Sequence, residues 1–410
     1  MFSNLLQIHE VDLSGFDSSL VIDTSYMFKG CDYLTSINFS GFTTSSVKNM
    51  KAMFYWMGTI ASIDVSHFDT SQVTDMSLMF NKIGRLESLD VSNFDTSSVV
   101  DMSAMFGDGA FRFLNLSNFD TSKVKSMQNM LCYCHYLTSV DLSSFDTSSC
   151  GNFLYMFSHS ESIKSLDLSH FDTSKAGHLV GMFLWCESLE YLDISNFQTG
   201  QMTSFWDMFN RCKSLTSINI GNFDTSRITS INQMFKDCIS LRSLDLSNFK
   251  TQNLKTMLET FANCVSLTSI ILSSFDTSKV ENMESTFYNC NSLTSLNITN
   301  FKTSNVQTMK NLFYNCATLT SLDILNFDTT KVTDMTSMFE KCTGLVNLDI
   351  SNFYPNNNEI YSRMFFGCTN LEYVNFYNYY ENENTTYDYI ITDAHSQIIL
   401  CIHVKREARI

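Results

Sequence analysis

The stretch Leu241-Arg-Ser-Leu-Asp-Leu-Ser-Asn-Phe249 carries apolar residues eight, five and three positions before its final phenylalanine. The same pattern recurs through the 410 residues at intervals of 26, except for one interval of 25 between Phe94 and Phe119. The landmark phenylalanines that end the pattern are Phe16, Phe42, Phe68, Phe94, Phe119, Phe145, Phe171, Phe197, Phe223, Phe249, Phe275, Phe301, Phe327 and Phe353. A fixed period of this length is the signature of a solenoid, in which each repeat forms one coil.

The residues just before each landmark predict a short β-strand. Leu244 and Leu246 alternate with polar residues, which is the period of a strand with one buried face. One such strand per coil, stacked in register, predicts a parallel sheet along the chain. Because helices are wider than strands, we expect this sheet on the concave side.

The residues after each landmark predict a helix. Asp-Thr-Ser at 69–71 is typical of a helix start, and Val73, Met76, Met79 and Phe80 follow at helical spacing. We therefore predict an α/β repeat solenoid with one short helix per 26-residue coil on the convex side. The methionines at these positions are interpreted as core rather than as a binding stripe.

The consensus L-x-S-L-D-L-S-x-F-D-T-S-x-V-x-x-M-x-x-M-F-x-x-C resembles the BspA-like leucine-rich repeat surface proteins. The resemblance implies a right-handed leucine-rich-repeat superhelix that is exposed at the cell surface or secreted and binds other proteins or host surface molecules. Around Phe353 the sequence departs from the consensus, since Tyr354-Pro355-Asn356 replaces Asp-Thr-Ser.

The repeat sets the expected domain boundaries. Residues 1–379 form the solenoid of about 14 repeats, and residues 380–410 carry no repeat. Met1-Phe2 takes the place of Met27-Phe28 in its repeat, so we expect an N-terminal truncation. Residues 387–391 and 397–404 have strand composition, which favours a hairpin cap over the last coil. A disordered tail or a truncated further domain stays open.

Composition and charge limit the classes of partner that the protein is expected to bind. A net charge of −16 argues against nucleic acid, which needs clustered Lys and Arg. The sequence contains no apolar run of 18 residues, so no transmembrane segment is predicted. We expect a monomer without a cofactor.

Ten of the 13 cysteines share one position, three residues after the Met-Phe pair. They are Cys31, Cys134, Cys186, Cys212, Cys238, Cys264, Cys290, Cys316, Cys342 and Cys368. Equivalent thiols in successive coils offer no unique pairing, which favours buried free thiols over disulfides or a metal. The spacing of a zinc site is missing.

The candidate contact residues lie on the predicted concave sheet. A ladder of aspartates stands four residues before the landmarks, and Asp141, Asp167 and Asp193 belong to it. Asparagines interspersed in this ladder are expected to relieve repulsion between like charges. The ladder is interpreted either as a solvated acidic face or as a groove for cations or a basic protein segment.

Aromatic residues interrupt the serines of the same sheet. Phe113, Tyr191 and Tyr373 stand six residues before a landmark position, and Tyr377 takes another serine position. Exposed aromatics on a rigid sheet are typical binding anchors, although lateral packing on neighbouring side chains is the alternative.

The combined hypothesis is a non-catalytic protein-binding or adhesive surface module that presents a long acidic concave sheet. The alternatives are a structural surface coat without a specific ligand and a cation-binding repeat array. An enzyme would need a non-repeating cluster of titratable groups, which the uniform repeats do not supply. No catalytic, cofactor-binding or metal-ligating residues are assigned.

Overall fold

The computed structural model describes residues 2–354, 361–376 and 399–402, with the backbone alone described for 400–402. The chain divides into two compact units. The first unit comprises residues 1–202 and 218–222, and the second comprises residues 203–217 and 223–410. Each unit is a parallel β-solenoid, and the two units together contain about 14 turns.

The strands of the first unit are short and parallel. They are β1 (Glu10–Asp12), β2 (Ser36–Asn38), β3 (Phe113–Asn115), β4 (Ser139–Asp141), β5 (Tyr191–Asp193) and β6 (Ser217–Asn219), the last two residues of β6 being grouped with this unit. Parallel ladders join β1 to β2 and β3 to β4, and β5 neighbours β6. Phe113 pairs with Ser139, so the register advances by one repeat per coil.

The second unit follows the same plan. Its strands are β7 (Ser243–Asp245), β8 (Ser269–Ile271), β9 (Asn347–Asp349), β10 (Tyr373–Phe376) and β11 (Ile399–Ile402). Parallel ladders join β7 to β8, and join β10 to both β9 and β11. The central residue of β7, Leu244, is buried between two exposed neighbours, as the alternating sequence predicts.

The predicted helices are wrong. No α-helix occurs in the described ranges, and residues 73–83 consist of turns and isolated parallel bridges. The predicted burial is correct, because Val73, Met76, Met79 and Phe80 are fully buried. The spacing of three and four residues is therefore produced by consecutive tight turns, whose inward positions coincide with those of a helix.

Hydrogen bonding explains why this segment is not helical. The backbone N–H groups of Met76, Leu78 and Phe80 donate to carbonyls of the next coil at 2.8–3.0 Å. Met79 N–H, between them, donates to the carbonyl three residues back at 3.2 Å. A helix would send each N–H to the carbonyl four residues back. Because alternate N–H groups bond to the neighbouring coil, these turns add to the backbone hydrogen bonds that join successive coils.

The turns require a left-handed backbone at two positions per coil. Leu78 and Lys82 both have φ of 61°, and equivalent residues recur through both units. Only glycine, asparagine and aspartate adopt this region at low cost. The second of these positions lies 14 residues after the landmark, directly before the cysteine position, and is called here the second left-handed position.

Asp-Thr-Ser likewise forms a turn and not a helix cap. Asp69 Oδ1 accepts a hydrogen bond from the Ser71 N–H at 3.1 Å. The buried Thr44 hydroxyl accepts from the Asp69 N–H at 2.7 Å and donates to the Asp69 carbonyl at 2.9 Å. Similar threonine bonds between neighbouring coils recur along the chain. The residues predicted as helix caps therefore belong to a ladder of buried threonines that hydrogen-bond from coil to coil.

Two phenylalanine stacks fill the core of each unit. Landmark rings stack on those of neighbouring coils, as between Phe119 and Phe145 with centroids 6.5 Å apart. The phenylalanines of the Met-Phe pairs form a second stack, as between Phe54 and Phe80 at 5.4 Å. A thiol ladder lies beside them, in which Cys264 Sγ donates to the Phe235 carbonyl at 3.1 Å.

The burial predicted for the ten cysteines that share one repeat position is confirmed, and these ten, like Cys132 and Cys150, are free thiols. Burial raises the pKa of Cys134 and of Cys264 to about 12. These thiols are therefore neutral core groups at physiological pH.

The predicted boundary at residue 379 and the hairpin cap lie mostly outside the described residues. Within them, β11 pairs in parallel with β10, and Tyr373 stands opposite Ile399, 26 residues later. The spacing of one repeat is thus kept at this strand. Among the described residues, none forms a helix long and apolar enough to cross a bilayer.

Candidate binding groove

Tight turns hold the aspartate ladder. Asp141 Oδ1 accepts from the Ser143 N–H at 3.0 Å, and Asp167 Oδ1 accepts from both the N–H and the hydroxyl of Ser169. Each carboxylate lies four residues before its landmark and turns the chain at the end of its strand position. One oxygen of each group is therefore committed to the backbone, which fixes where the other points.

These turns also set the charge of the ladder. Hydrogen bonds from the hydroxyl and then the backbone N–H of Ser143 hold the pKa of Asp141 below its ordinary value of 3.8. Ser169 lowers the pKa of Asp167 in the same way, and the Ser195 N–H and hydroxyl lower that of Asp193. All three groups are ionised at neutral pH.

Asparagines that interrupt the aspartate ladder reduce the repulsion between its like charges. Asn219 Nδ2 donates to Asp193 Oδ2 at 3.1 Å, and Asn375 Nδ2 donates to Asp349 Oδ2 at 3.0 Å. Asn115 Oδ1 accepts from the Ser117 N–H, so the amide makes the same turn as the carboxylate. Asparagine can therefore replace aspartate here without loss of the turn.

Two aromatic side chains project from this face in the first unit. Phe113 and Tyr191 are each 51% exposed, and only Ser139 and Ser165 occupy the equivalent positions between them. Since neighbouring coils are about 4.8 Å apart, the two rings are anchored roughly 14 Å apart. The Tyr191 hydroxyl reaches Asp193 Oδ2 at 3.4 Å, which directs this ring along its own strand.

Two depressions lie between these aromatics and together form what we call the strand-face groove. The first has a volume of about 480 Å³ and is lined by Phe113, Asp141 and Asp167 among others. The second, of about 450 Å³, is lined by Asp167, Tyr191 and Asp193 among others. Five candidate residues from the sequence thus line one continuous surface.

Leu166 forms the floor that the two depressions share. Residues 165–167 have the Ser-Leu-Asp alternation of a strand but are not part of one, in contrast to the neighbouring β4 and β5. Leu166 is only partly buried, as is Val140 at the equivalent position in the first depression, whereas Leu114 and Leu192 on either side of them are fully buried. The groove therefore exposes some apolar surface between its acidic side chains.

The groove carries more negative than positive charge. Glu190 adds a fourth carboxylate and Lys164 a single ammonium group. His170 lines the first depression, and its Nε2 is 2.9 Å from the Leu142 carbonyl. Arg112, next to Phe113, forms an ion pair with Glu87 at 2.9 Å. A ligand in the groove would meet a predominantly anionic surface.

The remaining candidates lie elsewhere. Tyr373 is 36% exposed on β10 of the second unit and does not line the groove. Tyr377 lies outside the described residues. Across the described ranges, no group of three or more His, Cys, Asp or Glu side chains is placed to hold a metal ion.

Sequence reasoning missed Lys164, Leu166 and Glu190. Leu166 reads as an ordinary core position, and nothing in the sequence indicates its exposure. Lys164 and Glu190 stand seven residues before a landmark, where Thr138 and Thr216 are found in neighbouring repeats. That change from neutral to charged residues was the available signal.

Comparisons with known proteins match the repeat. A family model described as "Mycoplasma protein of unknown function, DUF285" matches residues 1–111, 53–165, 107–217, 178–296 and 282–397. No curated protein matches the chain. The predicted resemblance to leucine-rich-repeat surface proteins is confirmed by the 26-residue repeat and by the family model recurring along the chain.

The solved structures that resemble this chain do so only weakly. A leucine-rich repeat protein from Bacteroides ovatus has a TM-score of 0.44 at 16% identity, over 93% of this chain and 87% of that one. A leucine rich cell surface protein from Faecalibacterium prausnitzii has a TM-score of 0.35 at 14% identity, over 75% and 83%. An internalin from Listeria monocytogenes has a TM-score of 0.24 at 15% identity, over 93% and 84%. Likenesses this weak carry no function to the present chain.

Proposed function

This chain belongs to the DUF285 family, and we propose that it is a non-catalytic protein-binding module that acts in adhesion at the cell surface or after secretion. Its acidic strand face is the surface that meets host or partner proteins. The observation that carries the proposal is the strand-face groove, where Phe113 and Tyr191 stand half exposed at either end of two depressions that share Leu166 as their floor.

Rigidity supports a binding role for these rings. Hydrogen bonds between coils hold the backbone of β3 and β4, and the core beneath them is closed. An aromatic side chain on such a support loses little conformational freedom when a partner covers it, and aromatics of this kind dominate binding energy at protein interfaces. Neither ring is needed for folding, because serine takes the same position in most coils.

The acid–base character of the groove favours binding over catalysis. A general acid or base works best with a pKa near the operating pH. The pKa values of Asp141, Asp167 and Asp193 are instead lowered by serine hydrogen bonds. Such carboxylates stay ionised at neutral pH and suit charge recognition.

The test uses the aromatic pair. The double variant Phe113→Ser/Tyr191→Ser restores the consensus residue at both positions, so the fold and the melting temperature should be kept. We expect purified host-surface or extracellular proteins that bind the wild type to bind this variant at least about tenfold more weakly, a loss of about 1.4 kcal/mol.

Trp206→Ser in the second unit is the matched control, because Trp206 is also 51% exposed but does not line the groove. It should bind as the wild type does. Equal retention of every protein by all three forms would contradict the proposal and favour a surface coat without a specific ligand.

A further inference from the structure

We infer that the strand-face groove receives an extended peptide segment that carries two basic side chains at alternate positions. This inference rests on the proposed function and specifies the partner of the same surface. It starts from the two depressions, each of which lies between successive carboxylates of the ladder.

Each depression offers a place for one cationic group. Asp141 and Asp167 line the first, and Asp167 and Asp193 line the second, where Glu190 adds its charge. Within the described part of the chain, no side chain donates to Oδ2 of Asp141 or of Asp167, while Oδ1 of each is held by its turn. These outer oxygens are preorganised acceptors for an ammonium or guanidinium group.

The aromatic ends of the groove favour the same ligand. Phe113 lies at the end of the first depression and Tyr191 at the end of the second. An arginine or lysine side chain can place its charge on the carboxylates and pack its aliphatic stem or its cation against a ring face. The partly buried Leu166 between them supplies apolar contact for these stems.

The distance between the two carboxylate pairs favours basic side chains at alternate positions of the peptide. The two carboxylate pairs are displaced by one coil, which is about 4.8 Å. In an extended peptide, side chains on one face recur every two residues, at about 6.8 Å, and adjacent side chains point to opposite faces. The long stems of basic residues accommodate the difference of about 2 Å, so one intervening residue is the best match.

A metal ion fits the groove less well than a peptide. The carboxylates belong to successive coils, and the described residues contain no metal-ligating group of three or more side chains. An anionic partner would be repelled by the four carboxylates against the one lysine. A helix with an apolar face would cover these charges without pairing them.

The experiment measures the affinity of a fluorescent Gly/Ser peptide with two arginines separated by one residue, at physiological salt. The same peptide with adjacent arginines, and one with two glutamates, are the comparison probes. We expect the separated arginines to bind at least about tenfold more tightly than the glutamate peptide and several-fold more tightly than the adjacent arginines.

The triple variant Asp141→Asn/Asp167→Asn/Asp193→Asn should lower the affinity for the separated arginines at least about tenfold. Asparagine keeps the turn, as Asn115 and Asn219 do in the wild type, so the variant should remain folded. The matched control Asp64→Asn/Asp90→Asn/Asp245→Asn removes the same charge from the ladder outside the groove. It should change affinity less than about twofold.

Equal losses in the two triple variants would overturn the inference, because net charge alone would then explain binding. No preference for the separated arginines would overturn it as well. If protein partners are lost with Phe113→Ser/Tyr191→Ser but not with the groove aspartate variant, the proposed function stands and this inference fails. If neither variant affects any partner, both fail.

Discussion

The two units support the same backbone turn with different side chains. At the second left-handed position three successive coils of the first unit carry rings, and Tyr133, His159 and Trp185 stack with centroids 4.3 and 5.0 Å apart. Three successive coils of the second unit carry asparagine at this position. There Asn289 Nδ2 donates to Asn263 Oδ1 at 2.9 Å, and Asn315 Nδ2 donates to Asn289 Oδ1.

The difference shows which positions folding constrains. Both units have the same buried phenylalanine stacks, thiols and threonines. On the outside, three coils of the second unit have an amide ladder that suits the left-handed backbone, whereas three coils of the first have larger rings that pair by stacking. The aromatic-flanked groove also lies in the first unit. The outer side chains therefore differ between coils, while the backbone turn beneath them is the same in both units.

The largest expected effect tests whether the interiors are equivalent. Phe80 in the first unit and Phe261 in the second occupy the same position, are fully buried and stack on two neighbouring rings. Changing either to alanine should lower the free energy of unfolding by about 3–5 kcal/mol, measured by urea denaturation followed by circular dichroism. The losses should agree within about 1 kcal/mol.

Leucine at the same two positions provides the control, since Leu131 occupies the equivalent site in the first unit and is fully buried. Phe80→Leu and Phe261→Leu should each be much milder than alanine. A large loss in only one unit would show that the two cores are not interchangeable, and the comparison would then extend to the interior.

A smaller effect is expected at the second left-handed position itself. Asn289→Ala removes two amide hydrogen bonds and should lower the free energy of unfolding by about 1–2 kcal/mol. His159→Ala removes two ring contacts and the 2.8 Å hydrogen bond between Nδ1 and the Ser158 hydroxyl, and should cost about 1–2 kcal/mol. Urea denaturation of both variants gives the comparison.

Glycine variants separate the contacts from the backbone. Gly30 and Gly367 hold this position with positive φ, and glycine has no left-handed penalty. Asn289→Gly and His159→Gly should therefore be more stable than the alanine variants, by similar amounts in the two units. If glycine were no better than alanine at both sites, the left-handed backbone would not be what these residues support.

The smallest effect per residue is the response to acid. Among the described residues, the aspartates with a lowered pKa number 11 in the first unit and 5 in the second. Since the folded pKa lies below the unfolded one, their stabilisation is present above the ordinary pKa of 3.8. It is lost as the pH falls through the lowered folded values. The first unit should therefore open first on acidification.

Limited pepsin digestion between about pH 4 and pH 2, with fragments identified by mass spectrometry, measures this order. Early cuts should fall within residues 1–202. Cuts that begin in the second unit, or that appear in both at the same pH, would mean that these carboxylates do not set the acid response.

The sequence predicts the repeat and the buried face because each depends on local alternation. The prediction of one strand in every coil is only partly correct, because residues 62–64, 88–90, 165–167, 295–297 and 321–323 have the same alternation but form no strand. Leu244 and Leu246 are buried where their spacing places them, and Asp245 turns the chain beside Ser247. It fails at the supposed helices, because Met76, Met79 and Phe80 point inward equally well from tight turns. Hydrogen bonds to the next coil stabilise the turns over a helix, and the sequence of a single repeat does not show these bonds.

A signal for these turns was present nevertheless. The residue directly before the cysteine position is Gly30, Asn263, Asn289, Asn315 or Gly367 in five repeats, and glycine and asparagine favour a left-handed residue over a helix interior. For the groove, Phe113 and Tyr191 could be found as breaks in a serine column. The partial exposure of Leu166 could not, because Leu166 has the same place in the repeat as the fully buried Leu114 and Leu192.

Because nearly every turn and strand bonds to the coil beside it, a single coil has little to hold it once its neighbour is gone. Tension applied along the chain would peel it away one repeat at a time, and each released repeat of 26 residues would lengthen the molecule by up to about 90 Å. A chain built in this way would yield in steps under load and so absorb a sudden pull before all of its coils unfold.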